Sequence, residues 1–393
     1  MTIFQMRRWL MCAAFCVLSP SAMVIGQLPT HYPRTLDLDS QFDRQTVIER
    51  IPGKYLGHPT TCLLDDGRTI LCVYPEGHGR GPIVYRRSPD GGKSWEPRSE
   101  TPSSWSTSKE TPTIHRTIGP DGKRRLILWS GLYPARLAHS DDDGDTWTEL
   151  EPVGDWGGIV VMGDVVPLRT GTGHTMAFFH DDGRYFRDGG TRQNPAVMTL
   201  YKTRSTDGGL TWSYPESYYR SSDIHLCEPG VIRSPDGKTL AILLRENRRR
   251  KNSHLIVSDD EGQTFSDPIE LPLWLTGDRH IGRYTNDGRL FISFRCKSPT
   301  SQQDVRPYEG DWVAWVGSWD DLIGGKPGDY FVRLKDNHKA ADCAYPGVEV
   351  LPDDTIVTTT YGHWTTGESP YILSVRLKLS ELDAMADRDT QID

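Results

Sequence analysis

The chain has 393 residues and a formal net charge of −8, with a pI near 5.9, a balance that excludes nucleic acid as a partner. Gly (38) and Pro (27) are abundant and aromatics make up 10% of the residues. With no sustained apolar helical stripe, that composition excludes a coiled coil and favours short strands joined by tight turns.

The N-terminus reads as an address. Arg7 and Arg8 precede an apolar run from Trp9 to Leu18, followed by Ser19-Pro20-Ser21-Ala22 and Ile25-Gly26. This is the charged, apolar, small-residue order of a secretory signal over residues 1–26. It implies a secreted or periplasmic protein, with a retained anchor as the less favoured alternative. The apolar run is too short for a stable membrane span. Cys12 and Cys16 would leave with the signal. Cys62, Cys72, Cys227, Cys296 and Cys343 remain, an odd number set within strand-like runs. They are expected as buried thiols, and no zinc-ligand spacing or cofactor motif is present.

After an extension over 27–44, two repeats organise residues 45–382. The first runs Ser88-Pro-Asp90-Gly-Gly92-Lys-Ser94-Trp95, Ser140-Asp-Asp142-Asp-Gly144-Asp-Thr146-Trp147, Ser205-Thr-Asp207-Gly-Gly209-Leu-Thr211-Trp212 and Ser258-Asp-Asp260-Glu-Gly262-Gln-Thr264-Phe265, with starts 52, 65 and 53 residues apart. That is the period of a propeller blade. Ser, Asp and Thr can satisfy the N–H groups of a tight turn, Gly supplies positive φ, and the aromatic fills the gap beside it. A degraded fifth copy is expected at Ser318-Trp-Asp320. The second repeat is a turn signal at Asp66-Gly67, Asp121-Gly122, Asp182-Gly183, Asp236-Gly237 and Asp287-Gly288, with Asp353-Asp354 in sixth place. Most are followed by a β-rich run, so they mark six hairpins. Together the repeats predict an all-β fold, a six-bladed β-propeller of four-stranded antiparallel blades. Thr46–Arg50 is expected to close the last blade. The third blade is expected to be irregular, with a longer first hairpin carrying His174, His180 and Arg184. An acidic tail, 383–393, is expected to fray.

Counting from the turns locates a candidate site. Nine residues before the turn stand His58, Glu228, Arg279 and Tyr345; seven or eight after it stand Tyr74, Trp129, Arg245, Arg295 and Tyr361. Both offsets fall at the same end of each hairpin, so polar and aromatic groups converge on one mouth of the central channel. Charged inward positions require a reason, since apolar residues are the default there.

The four boxes match the Asp box of the sialidase (neuraminidase) family, which the chain resembles over roughly residues 45–378. By that resemblance Tyr345 falls where the family keeps a nucleophilic tyrosine, Glu228 where a glutamate takes its proton, and Arg245 on one arginine of a carboxylate-binding triad. The chemistry suits those residue types. An anomeric carboxylate repels an anionic nucleophile, whereas a phenol is neutral until a neighbouring base takes its proton. Arginine forks bind carboxylates bidentately.

There are departures. Arg50-Ile51-Pro52 resembles the first triad motif but lies too far from its turn, and His58 occupies that slot. Glu309-Gly310-Asp311-Trp312 stands where the third arginine belongs, with Arg306 nearest. The loop after the first hairpin, Pro75 to Gly81, lacks the family's acid/base aspartate, leaving Glu76 or His78 to supply the proton. Arg279 and Arg295 are expected to compensate as substrate-binding cations beside Arg245. Glu110 and Asp164 are expected as sugar-hydroxyl ligands, and Tyr361, His363 and Trp364 as a stacking platform. Arg248-Arg249-Arg250-Lys251 reads as a solvated hairpin tip.

The expected activity is exo-hydrolysis of a terminal acidic sugar, sialic or related, from a glycan or glycoconjugate by a retaining mechanism. The expected protein is a monomer needing no metal. Two other classes stay open: a uronate glycosidase or polysaccharide lyase on the same fold, and a non-catalytic glycan-binding propeller.

Overall fold

A computed structural model describes residues 33–186, 197–301, 308–339 and 341–390. The signal segment, residues 27–32 of the extension, Arg306 and the last three residues of the tail lie outside the described residues. Six antiparallel sheets form the blades of a β-propeller. Blade two (Pro112–Ile118, Arg124–Ser130, Arg136–Ser140, Glu151–Pro152), blade three (Val161–Pro167, Thr175–Asp181, Thr199–Ser205, Glu216–Arg220) and blade four (Leu226–Arg233, Leu240–Glu246, His254–Ser258, Ile269–Glu270) are four-stranded.

Blade six (Gly347–Val350, Ile356–Gly362, Tyr371–Leu377) takes its fourth strand from Gln45–Glu49, as expected, so the ring closes with both ends of the propeller in one sheet. Two blades depart from four strands. Blade one has three (Thr60–Leu63, Ile70–Pro75, Ile83–Ser88), but the amides of Glu96 and Ser99 donate to Arg87 and Tyr85 at 2.8 and 3.0 Å and fill the fourth position. Blade five (Gly277–Tyr284, Leu290–Cys296, Trp312–Gly317, Tyr330–Lys335) gains a fifth, Thr35–Asp37, paired in parallel outside it.

The four boxes follow the third strands of blades one to four and fasten each turn in the same way. In the second box, Ser140 Oγ accepts from Gly144 N at 2.9 Å, while Asp142 accepts from Thr146 N at 2.9 Å and from Thr146 Oγ1 at 2.6 Å. The box glycine also reaches across to the preceding blade. A Cβ at Gly144 would lie 2.5 Å from Tyr85 Oη, and Gly144 holds φ at 83°, so glycine is required on both counts. Apolar clusters accordingly sit between blades, as where Cys62, Leu71 and Val73 of blade one meet Ile114, Leu126 and Leu128 of blade two.

Three expectations are corrected. Ser318 N-caps a short helix, Trp319–Gly324, in a capping box with Asp321, so no fifth Asp box exists there; a second acidic side chain at the third helical position makes a cap the better use of the serine. The tail is helical, Leu379–Thr390, because Asp383 accepts from Arg289 at 2.9 and 3.0 Å and from Tyr330 at 2.9 Å. In blade three the first hairpin turns at Gly171–Gly173, between Val161–Pro167 and Thr175–Asp181. Asp182-Gly183 turns at the opposite end, which carries His180 and Arg184 to the other mouth from His174.

Candidate active site

A cavity of about 450 Å³ opens where the inner strands begin, and His58, His78, Glu110, His180, Glu228 and Tyr345 are among its lining residues. The backbone builds it by a repeated irregularity. His58, Glu228 and Arg279 have φ of 55°, 55° and 54°, and register shifts follow at Cys227/Gly230 and Asp278/Ile281. A bulge of this kind re-aims a side chain at a strand end, at a cost on the order of 1–3 kcal/mol per strained residue. In blade six the left-handed residue is Ala344, φ 49°. One more residue separates it from its turn, so Tyr345 follows the bulge position instead of occupying it.

The three residues drawn together by offset counting touch. Tyr345 Oη donates to Glu228 Oε1, Arg245 Nη1 donates to the same oxygen at 2.7 Å, and it lies 3.4 Å from Tyr345 Oη. Glu228 is buried, yet Arg245 and the Tyr345 hydroxyl hold its pKa below the usual carboxylate value against the cost of burial. Burial and the Glu228 charge push the Tyr345 phenol far up. The second oxygen, Oε2, has no hydrogen-bond partner. The phenol is therefore neutral at rest, beside an ionised base.

Asp278, absent from the expected site, organises the arginines. Its side chain is 0% exposed; it accepts from Arg295 Nε at 2.7 Å and pairs with Arg249 at 2.5 Å and with Arg245 Nε at 3.3 Å. Burial opposes ionisation, but the three guanidiniums override it and hold Asp278 far below its ordinary pKa. The guanidinium side chains of Arg245, Arg249 and Arg295 remain 19%, 17% and 10% exposed. Arg249 was expected on a solvated tip. A φ of 56° turns it back into the cluster, and nothing in its local sequence distinguishes it from Arg248 or Arg250.

Glu110 lines the cavity half-buried, and desolvation raises its pKa to about 8 despite nearby Arg80 and Arg184. His180 accepts from the Glu228 amide through Nδ1 at 3.2 Å. His58 packs against Tyr345, ring centroids 4.7 Å apart, and its Nε2 meets Tyr361 Oη at 3.2 Å while Nδ1 stays unpartnered. His78 lies 4.9 Å from His58 by centroid, and its Nδ1 is 2.6 Å from Tyr55 Oη.

Five expected site residues go elsewhere. Glu76 pairs with Lys54 and Arg98, and these cations lower its pKa; it is an ionised surface anion, not a proton donor. Asp164 accepts from Val165 N and Val231 N, each at 2.9 Å, and lines a separate cavity with His115 and Glu349. It ties blade three to blade four. Trp364 packs on Trp312 in the core with its indole N–H bonded to Tyr371 O at 3.1 Å. Tyr361 is buried as well, and His363 is buried against Asp342 at 2.9 Å. These three cannot stack on a sugar because protein already covers their faces.

Arg279 is buried, donates to Pro229 O at 3.4 Å, and is not part of the Asp278 cluster. Arg50 pairs with Glu368 at 2.5 Å, away from the cavity. All five described cysteines are buried and unbridged. Among the described residues, no group of three His, Cys, Asp or Glu side chains is placed to hold a metal ion, and no helix is long and apolar enough to cross a membrane.

No protein-family model matches this sequence, and no curated protein matches it significantly. Solved structures do share its fold. A protein of unknown function from Dyadobacter fermentans superposes with a TM-score of 0.67 at 15% identity, over 85% of this chain and 98% of the other. An α-L-arabinofuranosidase from Fusarium graminearum gives 0.59 at 14% identity, over 86% and 98%. The Hadza microbial sialidase gives 0.58 at 16% identity, over 83% and 66%. At such identities the likeness is one of architecture: this propeller is a scaffold that glycoside hydrolases of different specificity also have.

Proposed function

We propose that the protein is a retaining exo-glycoside hydrolase that releases a terminal acidic sugar, of the sialic or a related type, from glycans. The contact that carries the reading is the one among Tyr345, Glu228 and Arg245. Tyr345 Oη attacks the anomeric carbon while Glu228 Oε1 takes the phenolic proton. Glu110, protonated near neutrality, gives its proton to the departing glycosidic oxygen as that bond breaks. Water then attacks the glycosyl-tyrosine, the Glu110 carboxylate takes a proton from it, and Glu228 returns the phenol's proton. Two displacements at one carbon retain its configuration.

The charge of the cluster supports an acidic substrate. Three guanidiniums, of Arg245, Arg249 and Arg295, face two carboxylates, Asp278 and Glu228. One positive charge remains, which one substrate carboxylate beside the anomeric carbon would neutralise.

A second reading rests on the opposite pKa shifts of Glu110 and Glu228. A protonated and an ionised carboxyl in one cavity are the requirements of a two-carboxylate glycosidase acting on a neutral sugar. Incubation with sialic, ulosonic, uronic and neutral glycosides, with products read by mass, separates the two. Under the first reading only acidic sugars are released and Tyr345→Phe is inactive. Release of a neutral sugar by an active Tyr345→Phe variant establishes the second and refutes the first.

A further inference from the structure

The lining of the cavity contains two groups of residues of different character. Tyr345, Glu228, His58 and His180 touch one another in one group, while Arg80 and Arg184 act on Glu110 and, with Lys109, complete the lining. These three cations come from three blades. Arg80 sits in the loop after Ile70–Pro75, where Gly77, Gly79 and Gly81 all have positive φ, and a Cβ at Gly81 would lie 2.5 Å from Glu76 O. The loop is thus a tight, closed turn, sealed by Glu76 N to Pro82 O at 2.9 Å. Lys109 is carried by a segment pinned where Ser108 Oγ meets Glu110 O and Ser130 Oγ, each at 2.9 Å. Arg184 leaves the Asp182-Gly183 turn, with its Nε bonded to Asp182 at 2.7 Å and its guanidinium over the Tyr185 ring.

Asp182 offsets Arg184. Arg80 and Lys109 have no ionic partner among the described residues, and Glu228 is already neutralised by Arg245. A surplus of like charge in a concave site concentrates its field on whatever enters. The group that protonates the departing oxygen must face the leaving group, so the residues around Glu110 are those the leaving group meets.

We propose that the part of the cavity around Glu110 is an acceptor subsite for an anionic sugar, in which Arg80 and Lys109, together with Arg184, receive a carboxylate or sulfate on the residue next to the scissile bond. The inference rests on the hydrolase reading and on Glu110 as its acid. It makes the substrate a polyanionic glycan, charged at the penultimate as well as the terminal sugar.

The test is calorimetric titration of the intact protein with methyl β-D-glucuronide, methyl β-D-galactoside 6-sulfate and uncharged methyl β-D-galactoside. At low ionic strength at least one charged glycoside is expected to bind on the order of tenfold tighter than the uncharged one, with the preference fading near physiological salt. Which anion binds tighter names the substituent. The preference should vanish in Arg80→Ala/Lys109→Ala, checked for folding by circular dichroism, and persist in Tyr345→Phe. Equal affinity for the three glycosides overturns the proposal. So does a preference that survives Arg80→Ala/Lys109→Ala, because the anion would then sit on the Asp278 cluster. If the preference depends on Arg80 and Lys109 but no glycoside is ever hydrolysed, the catalytic reading fails and the anionic subsite stands.

Discussion

The backbone N–H of Glu228 donates to Nδ1 of His180 across 3.2 Å, and that bond fixes the imidazole proton on Nε2. Burial holds the ring neutral by lowering its pKa to about 4, although the Glu228 charge pulls the other way. A neutral donor therefore stands beside the candidate base and lines the same cavity. Histidine 15N NMR should report the Nε2–H tautomer from pH 5 to 8. An imidazolium signal at pH 6 would refute the assignment.

His58 and His180 are buried and His115 is half-buried, and desolvation lowers their pKa values, to about 3 for His58 and His115 and about 4 for His180. The unfolded chain binds protons at these positions below pH 6.5 and the folded chain does not. Stability is therefore expected to fall as pH drops from 6.5 toward 4, by up to about 1.4 kcal/mol per pH unit for each histidine. Urea unfolding at pH 7 and pH 5 measures it, and the drop should be smaller in His115→Gln. Equal stability at both values would contradict the burial of these rings as neutral groups.

Glu110 has its pKa raised to about 8 by desolvation, so the acid form dominates below that value and disappears above it. The rate on a glycoside with a poor leaving group is expected to fall as pH rises through 8. Glu110→Gln should slow such substrates by about 100-fold or more and spare those whose leaving group needs no proton. An unchanged alkaline limb in Glu110→Gln would remove it from the mechanism.

Asp278 is the common counter-charge of Arg245, Arg249 and Arg295. Asp278→Asn leaves three guanidiniums crowded around a neutral group, and the expected loss is about 3–5 kcal/mol. Denaturant midpoints of the variant and parent proteins give the difference. A loss under about 1 kcal/mol would mean the arginines are solvated rather than held.

Tyr345→Phe removes the proposed nucleophile and also deprives Glu228 of a hydrogen bond. Activity should fall at least about 1,000-fold, with substrate still bound and the fold retained. Glu228→Gln, which keeps the shape but not the base, should fall nearly as far, because the two act as one unit. Strong additivity in the double variant would show that they do not.

Much of this was legible in the chain because the contacts are local or periodic. An Asp box bonds Asp142 to Thr146 within one turn, so its spacing is its structure. Equal offsets from successive turns brought Tyr345 and Glu228 together across 117 positions, since propeller symmetry converts register into proximity. The third turn misled because Asp-Gly suits either end of a hairpin, and Gly171–Gly173 carries no Asp to announce itself.

Residue order alone therefore determined the ring, its closure by the strand that begins at Gln45, and which mouth collects phenol, carboxylate and guanidinium. Tertiary structure decided the charge states. Glu76 lost its candidacy to Lys54 and Arg98, Glu110 gained its proton from burial, and Asp278 recruited Arg249 through one left-handed residue. The reason is that a side chain's ionisation depends on solvent access and on neighbours distant in sequence. Neither is written in the spacing of a repeat.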